Sequence, residues 1–135
     1  WRTTPLNKAN SVAYFCHTSG SYNYTNFMLF GDCIFTDMGA VGEITIITRP
    51  IPKGTYKVQI LGRKIKQVGG IFQPYIDGVK TGGVFSLYDP EWDRDMTHTV
   101  TEQITFPETT AHTFTLRATK SGQMYWDSII FTPVN

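Results

Sequence analysis

The chain closes on 121-SGQMYWDSIIFTPVN-135, and the reading of this stretch decides the fold. Chain ends usually fray, yet here Tyr125, Trp126, Ile129, Ile130 and Phe131 crowd around Asp127. A segment this apolar is expected to be a buried strand. Trp126, Ile129 and Phe131 are the candidates for burial, and withdrawing about three such side chains from water is worth roughly 5 to 9 kcal/mol. Deleting residues 126–135 is therefore expected to abolish folding, and a cooperative melt of the shortened chain near the original midpoint would contradict that.

Upstream, apolar residues recur every second position, with turn residues between the runs, and helical periodicity is nearly missing. In 55-TYKVQIL-61, Tyr56, Val58 and Ile60 share one face while Thr55, Lys57 and Gln59 share the other. Phe114, Leu116 and Ala118 repeat the pattern in 112-HTFTLRA-118. Both read as half-buried strands. Asp77-Gly78 lies between two apolar segments and supplies the positive φ of a tight hairpin turn. Pro74 has no N–H for a ladder, which suggests an edge strand or a bulge. Further strands are expected around 11-SVAYFCH-17, 32-DCIFTD-37, 42-GEITIIT-48, 99-TVTEQITF-106 and 126-WDSIIFT-132. About eight or nine strands of this kind predict an all-β chain folded as an antiparallel β-sandwich or jelly roll.

A length of 135 residues fits a single domain, 1–135, with no linker or internal repeat to divide it. A net charge of +1 gives no electrostatic reason to bind nucleic acid or anionic lipid. No run approaches the roughly 20 apolar residues of a helical membrane span, so insertion by this segment is not expected. Because Trp1 rather than Met stands first, the chain is expected to be processed out of, or excised from, a larger protein. Cys16 and Cys33 sit in apolar surroundings that suit either one disulfide or two buried thiols. The spacing leaves both open.

Catalytic signatures are missing: no GxSxG elbow, no HExxH and no zinc-spaced Cys/His set occurs. His17, His98 and His112 are expected at the surface or at strand ends. Asp89, Glu91, Asp93 and Asp95 in 88-YDPEWDRDM-96 are dense enough to suggest a hard cation, but the EF-hand order is absent. A solvated loop with Arg94 offsetting its charge is expected instead. Neighbouring carboxylates on one loop also do not flank a sugar as a glycosidase pair must.

The aromatic residues carry the functional signal. In 19-SGSYNYTNF-27, Tyr22, Asn23 and Tyr24 lie among Ser and Thr, a composition of recognition loops. Tyr88 and Trp92 flank the acidic loop, and Tyr125 follows the SGQ turn. Sugars stack their C–H faces on such rings and exchange hydrogen bonds with neighbouring polar groups. Tyr22, Tyr24, Tyr88, Trp92 and Tyr125 are thus candidate glycan platforms, with Asn23, Asp89 and Asp93 as hydrogen-bonding partners. The competing reading is that these rings cover the ends of the core. Asn23-Tyr24-Thr25 also matches a glycosylation acceptor, taken here as chance.

The ordered series 42-GEITIITRPIPKGTYKVQI-60, 74-PYIDGVKTGG-83 and 112-HTFTLRATKSGQMYWDSIIFTP-133 resembles the galactose-binding-like jelly roll, particularly carbohydrate-binding modules of families 6 and 35. The resemblance runs from about Gly31 to Pro133. It implies a last strand held within a sheet near the first strand. It also implies a non-catalytic glycan-binding module of an extracellular or cell-surface bacterial protein, joined to other domains. The family's structural calcium uses a Glu of the first strand with the Asp of the last. Asp127 matches the second of these metal ligands, but WRTTPLNKAN has no Glu, so no cofactor is expected. A sugar-contacting Asn of the family is replaced here by Tyr125. The alternative class is a structural or protein-binding adhesion module, and a glycan-active enzyme has no positive support in the sequence.

Overall fold

The computed structural model describes residues 4–5, 12–13, 17–18, 26–30, 33–38, 42–48, 50–100 and 102–134. For 4–38, and for Ile44, Ile46, Ile47, Asp127 and Ser128, the description is of the backbone. Every element among the described residues is a strand: β1 (Thr4–Pro5), β2 (Val12–Ala13), β3 (His17–Thr18), β4 (Asn26–Phe30), β5 (Cys33–Met38), β6 (Glu43–Ile47), β7 (Gly54–Lys66) and β8 (Ile71–Ile76). They continue with β9 (Val79–Lys80), β10 (Phe85–Ser86), β11 (Tyr88–Asp89), β12 (Arg94–Thr99), β13 (Ile104–Phe106), β14 (Thr113–Lys120) and β15 (Gly122–Pro133). β7 and β15, at 13 and 12 residues, outrun the stretches read from alternation, whereas elsewhere an expected run breaks. The 99–106 run, for example, divides between the end of β12 and β13.

Two sheets form the β-sandwich. One follows the order β1-β2-β15-β5-β4, with β7 joined to β15 and in turn to β11, β12 and β13. The other follows β10-β8-β14-β6-β3, with β9 on β8. Among the described residues all strand pairs are antiparallel except the short β11–β7 pair. The terminal stretch behaves as a central strand, with β15 bonded to β5, β7 and β2. Trp126, Ile129 and Phe131 are all buried.

Strict alternation would put Trp126 and Ile129 on opposite faces, yet both enter the core. Trp126 pairs with Gly62 and Ser128 with Leu61, so Asp127 is an extra residue, a β-bulge that resets the alternation. Gly62 permits the bulge, because a Cβ there would stand 2.4 Å from the Tyr125 carbonyl oxygen.

Between the sheets, Tyr56, Val58 and Ile60 of β7 meet Phe72 and Ile76 of β8 and Phe114, Leu116 and Ala118 of β14. The faces read from alternation are therefore the faces observed. Asp77 (φ 50°) and Gly78 (φ 78°) form the expected hairpin turn between β8 and β9.

Pro74 sits within β8, away from any bulge, paired with Leu116 of β14 on one side and with no strand residue on the other, a local edge. Its carbonyl accepts Thr81 N–H at 3.0 Å, away from β14. N–H and C=O of one strand residue point the same way, so the missing donor falls in the gap where the outer neighbour of β8 changes from β10 to β9. No ladder bond to β14 is lost.

His98 and His112 lie at strand ends, as expected, but turn their rings inward. His112 is buried at the start of β14, with its ring stacked on Phe106 at 4.0 Å and Nδ1 2.6 Å from Asp77 Oδ2. His98, half-buried on β12, stacks on Phe85 at 4.8 Å. The apolar ring face is what each one contributes. Only the backbone of His17 is described, and Cys16 lies outside the described residues, as does the side chain of Cys33.

Candidate functional site

At the end of the sandwich where β7 stops and β15 starts, three chain segments meet. Gln67, in the left-handed region at φ 63°, turns the chain from β7 toward β8. Its N–H donates to Asp89 O at 2.7 Å, Ile65 N–H to Leu87 O at 2.8 Å, and Leu87 N–H to Gly70 O at 2.8 Å. The turn between β14 and β15 joins through Gln123 N–H to Val68 O at 2.7 Å and Gly70 N–H to Gln123 O at 3.1 Å. Backbone bonds thus lace three turns into one surface, leaving side chains free to face solvent.

Glycines bring these backbones so close together. A Cβ on Gly69 would lie 1.8 Å from Leu87 O, and one on Gly122 would lie 2.5 Å from Gly70 N. The result is a cleft of about 330 Å³ with a floor of backbone. Gln67, Val68 and Gly69 line one side, Tyr88 rises from β11, and Lys120, Ser121, Gly122 and Gln123 close the other. Tyr88 is 44% exposed despite its size.

Beside the cleft, residues 89–94 form a locked loop. Asp89 is buried; its Oδ1 accepts the N–H groups of Glu91 and Trp92, both at 2.9 Å, and its Oδ2 meets Arg94 Nε at 2.9 Å. Those backbone donors hold the Asp89 carboxyl below its ordinary range; Arg94 and Lys64 also favour the charge, and burial opposes it. Asp93 Oδ1 accepts Lys66 N–H at 2.8 Å, tying the loop to the end of β7. Trp92, at the loop's crest, is 63% exposed.

Of the residues nominated from sequence, Tyr88 lines the cleft, and Trp92 stands exposed on the loop joined to it. Asp89 turns its carboxylate inward, to two backbone amides and Arg94, while exposed Asp93 gives one oxygen to the Lys66 N–H. Tyr125 is half-buried on β15, opposite Phe35 of β5, and is not among the residues lining the cleft. Tyr22, Asn23, Tyr24 and the Asp127 side chain lie outside the described residues. Among the described residues, no group of three or more His, Cys, Asp or Glu side chains gathers to hold a metal ion.

Sequence reading missed Gln67, Lys120, Ser121 and Gln123, which come from turns distant in the chain. The Gly69-Gly70 pair and the SGQ turn were the available signals. Two other clefts offer less. One of about 220 Å³ on the outer face of the second sheet has its charges matched internally, with Arg117 Nε 3.1 Å from Glu43 Oε2 and the guanidinium 5.9 Å from the Tyr75 ring centre. One of about 290 Å³ at the opposite end is bounded by Phe106 and His112, which stack on each other.

No protein-family model matches this chain, and no curated protein matches its sequence. Solved structures do match. A Paenibacillus xanthan lyase superposes with a TM-score of 0.69 at 16% identity, over 84% of this chain and 12% of the lyase. A family 35 carbohydrate-binding module from an environmental isolate matches over 99% of this chain and 98% of its own length, with a TM-score of 0.58 and 15% identity. The C-terminal family 6 module of a marine laminarinase from Zobellia galactanivorans matches over 91% and 99%, with a TM-score of 0.57 and 16% identity. At these identities the likeness is one of fold: the chain has the jelly roll of family 6 and family 35 modules. It spans a small part of the lyase and nearly the whole of each isolated module.

Proposed function

We propose that this chain is a non-catalytic carbohydrate-binding module. The observation that carries the reading is the exposed Tyr88 ring on the rim of a backbone-floored polar cleft. An exposed ring beside polar groups is apolar surface that a ligand gains transfer energy by covering. Its face offers a stacking surface for a sugar, while Gln67, Ser121 and Gln123 offer the amide and hydroxyl groups that a ring of hydroxyls can pair with. Trp92 provides a second platform for a ligand longer than the cleft. Asp89 and Asp93 act by fixing the loop that presents both rings. Tyr22, Asn23, Tyr24 and Tyr125 remain candidate contacts by their composition. Matches to isolated carbohydrate-binding modules over almost their whole length support the reading. The proposed setting is extracellular or at a cell surface, as one domain of a longer glycan-handling protein.

The test is affinity electrophoresis and calorimetry of the 135-residue domain against a broad polysaccharide panel, in calcium and in chelator. Selective binding that weakens at least about tenfold in Tyr88→Ala, with an unchanged melting midpoint, is the expected outcome. Silence of the folded protein across the panel would overturn the reading. Calcium-dependent binding would direct attention back to Asp127.

A further inference from the structure

β12 pairs with β7 alone, and among the described residues no strand lies on its other side. Val100 N–H donates to Val58 O at 2.9 Å in continuation of the β12–β7 register, so the even-numbered residues of β12 turn their backbone groups to β7. Asp95, Thr97 and Thr99 turn theirs outward. All three residues are exposed, and among the described residues no turn or loop bond reaches their backbone. At six residues β12 is the longest described strand with one side wholly unpaired, and it holds no Pro, Lys or bulge of the kind that blunts an edge. Its two charges stand at one end, where Arg94 is held by Asp89 and Asp95 lies across from Arg63 of β7.

We propose that a second copy of this chain occupies this edge, the two β12 strands pairing antiparallel about a twofold axis at Thr97. In that register the edge is complementary to itself. Thr97 opposes the partner's Thr97 and Asp95 opposes the partner's Thr99, so every outward group of these residues is used, in roughly six backbone bonds. Threonine pairs suit cross-strand positions, and a Thr hydroxyl can donate to the Asp95 carboxylate. The two Asp95 side chains stand roughly 14 Å apart along the strands, beyond the Debye length of about 8 Å. Any other axis leaves outward groups without a facing β12 residue, and one at Asp95 also sets carboxylate against carboxylate. Val84, 52% exposed, precedes Phe85, whose ring stacks on His98 of β12, so apolar surface flanks the edge on the side of the second sheet. Antiparallel pairing turns the two open ends in opposite directions, so a dimer presents its clefts to two separate polymer chains. That consequence rests on the glycan-binding reading; the pairing itself does not.

Sedimentation equilibrium of the 135-residue domain tests this, with amide hydrogen exchange read on the same samples. An edge of this size gives a weak, reversible dimer, so the series runs to about 1 mM. The expected result is a weight-average mass that climbs toward that of two chains, with exchange at the Asp95, Thr97 and Thr99 amides slowing in step. Thr97→Lys would set two ammonium groups opposite each other, and Thr97→Pro would remove an outward N–H that β7 does not use. Each should weaken association at least about tenfold, and the dilute Thr97→Lys protein should melt like wild type. A wild-type protein that stays monomeric throughout overturns the inference. So does association that survives in either folded variant, or that slows exchange elsewhere while sparing these three amides. The polysaccharide panel tests the glycan-binding reading separately, and neither result decides the other.

Discussion

The two ends of the sandwich use the same materials, turns and aromatic rings, and finish in opposite states. At the end formed by the β8–β9 turn, Asp77 clasps His112 Nδ1 through one oxygen and Thr113 N–H, at 3.0 Å, through the other. His112 stacks on Phe106, which also meets Tyr56 at 5.9 Å and Phe131 at 6.0 Å. Tyr56 donates its hydroxyl to Pro52 O at 2.6 Å, and burial raises its pKa. Each ring there has a ring for a neighbour. At the other end, backbone bonds and glycine contacts hold the turns together, and Tyr88 and Trp92 are left facing solvent. The difference separates rings that hold the fold from rings available to a ligand, more sharply than residue type does.

Alanine at the closed end is the strongest test of that division. Phe106→Ala removes a buried ring from a four-ring cluster, and a loss of about 3–5 kcal/mol is expected in chemical denaturation. A loss below about 1 kcal/mol would mean that the cluster is loosely packed and that the two ends are less different than they look.

At the open end the corresponding weight falls on glycine. Gly69→Ala must displace the Leu87 carbonyl, a backbone atom with no easy retreat, so about 3 kcal/mol or more should be lost. At Gly83 an added Cβ would meet nothing within 4 Å, and φ is not positive, so Gly83→Ala serves as the control, neutral or slightly stabilising. Similar melts for the two variants would show that the cleft floor is soft.

Acid distinguishes the two inward-facing histidines. Both have a buried Nε2 without a hydrogen-bond partner among the described residues. His112 has the Asp77 carboxylate beside it, whereas His98 has no carboxylate partner there, and burial lowers its pKa. Protonation of His98 is therefore harder in the folded state than in the unfolded state. Its neutral form contributes stability that is complete above the unfolded value of about 6.5 and is lost as pH falls through 6.5 toward the lower folded value. His98→Leu should flatten the fall in melting midpoint between about pH 7 and pH 5. An unchanged slope would place the acid sensitivity elsewhere.

How far the sequence could be read follows the same division. Strand faces were legible wherever a half-buried strand alternated, as in Tyr56, Val58 and Ile60, because burial on one side writes a period of two into the chain. The Asp77-Gly78 turn was legible because positive φ restricts residue choice. The bulge at Asp127 was not, since one extra residue leaves no compositional trace. The cleft was half legible: Tyr88 and Trp92 stood out as aromatic residues in a polar loop. Gln67, Lys120 and Gln123 are ordinary surface residues until the parallel Gly69–Gln123 bridge brings their turns together.

The smallest expected effect on stability is the most informative one. Tyr88→Ala and Trp92→Ala should each alter unfolding free energy by no more than about 0.5 kcal/mol, because both side chains keep much of their surface in solvent. Asp89→Ala should cost more than either, although Asp89 has no ring to lose, since it frees two amide donors and Arg94 together. If Trp92→Ala were as costly as Phe106→Ala, its ring would have to be packed against part of the fold, and the open end would be a second closed one. If both ring variants melt like wild type but fail to bind, the rings serve the ligand and the aspartate serves the rings.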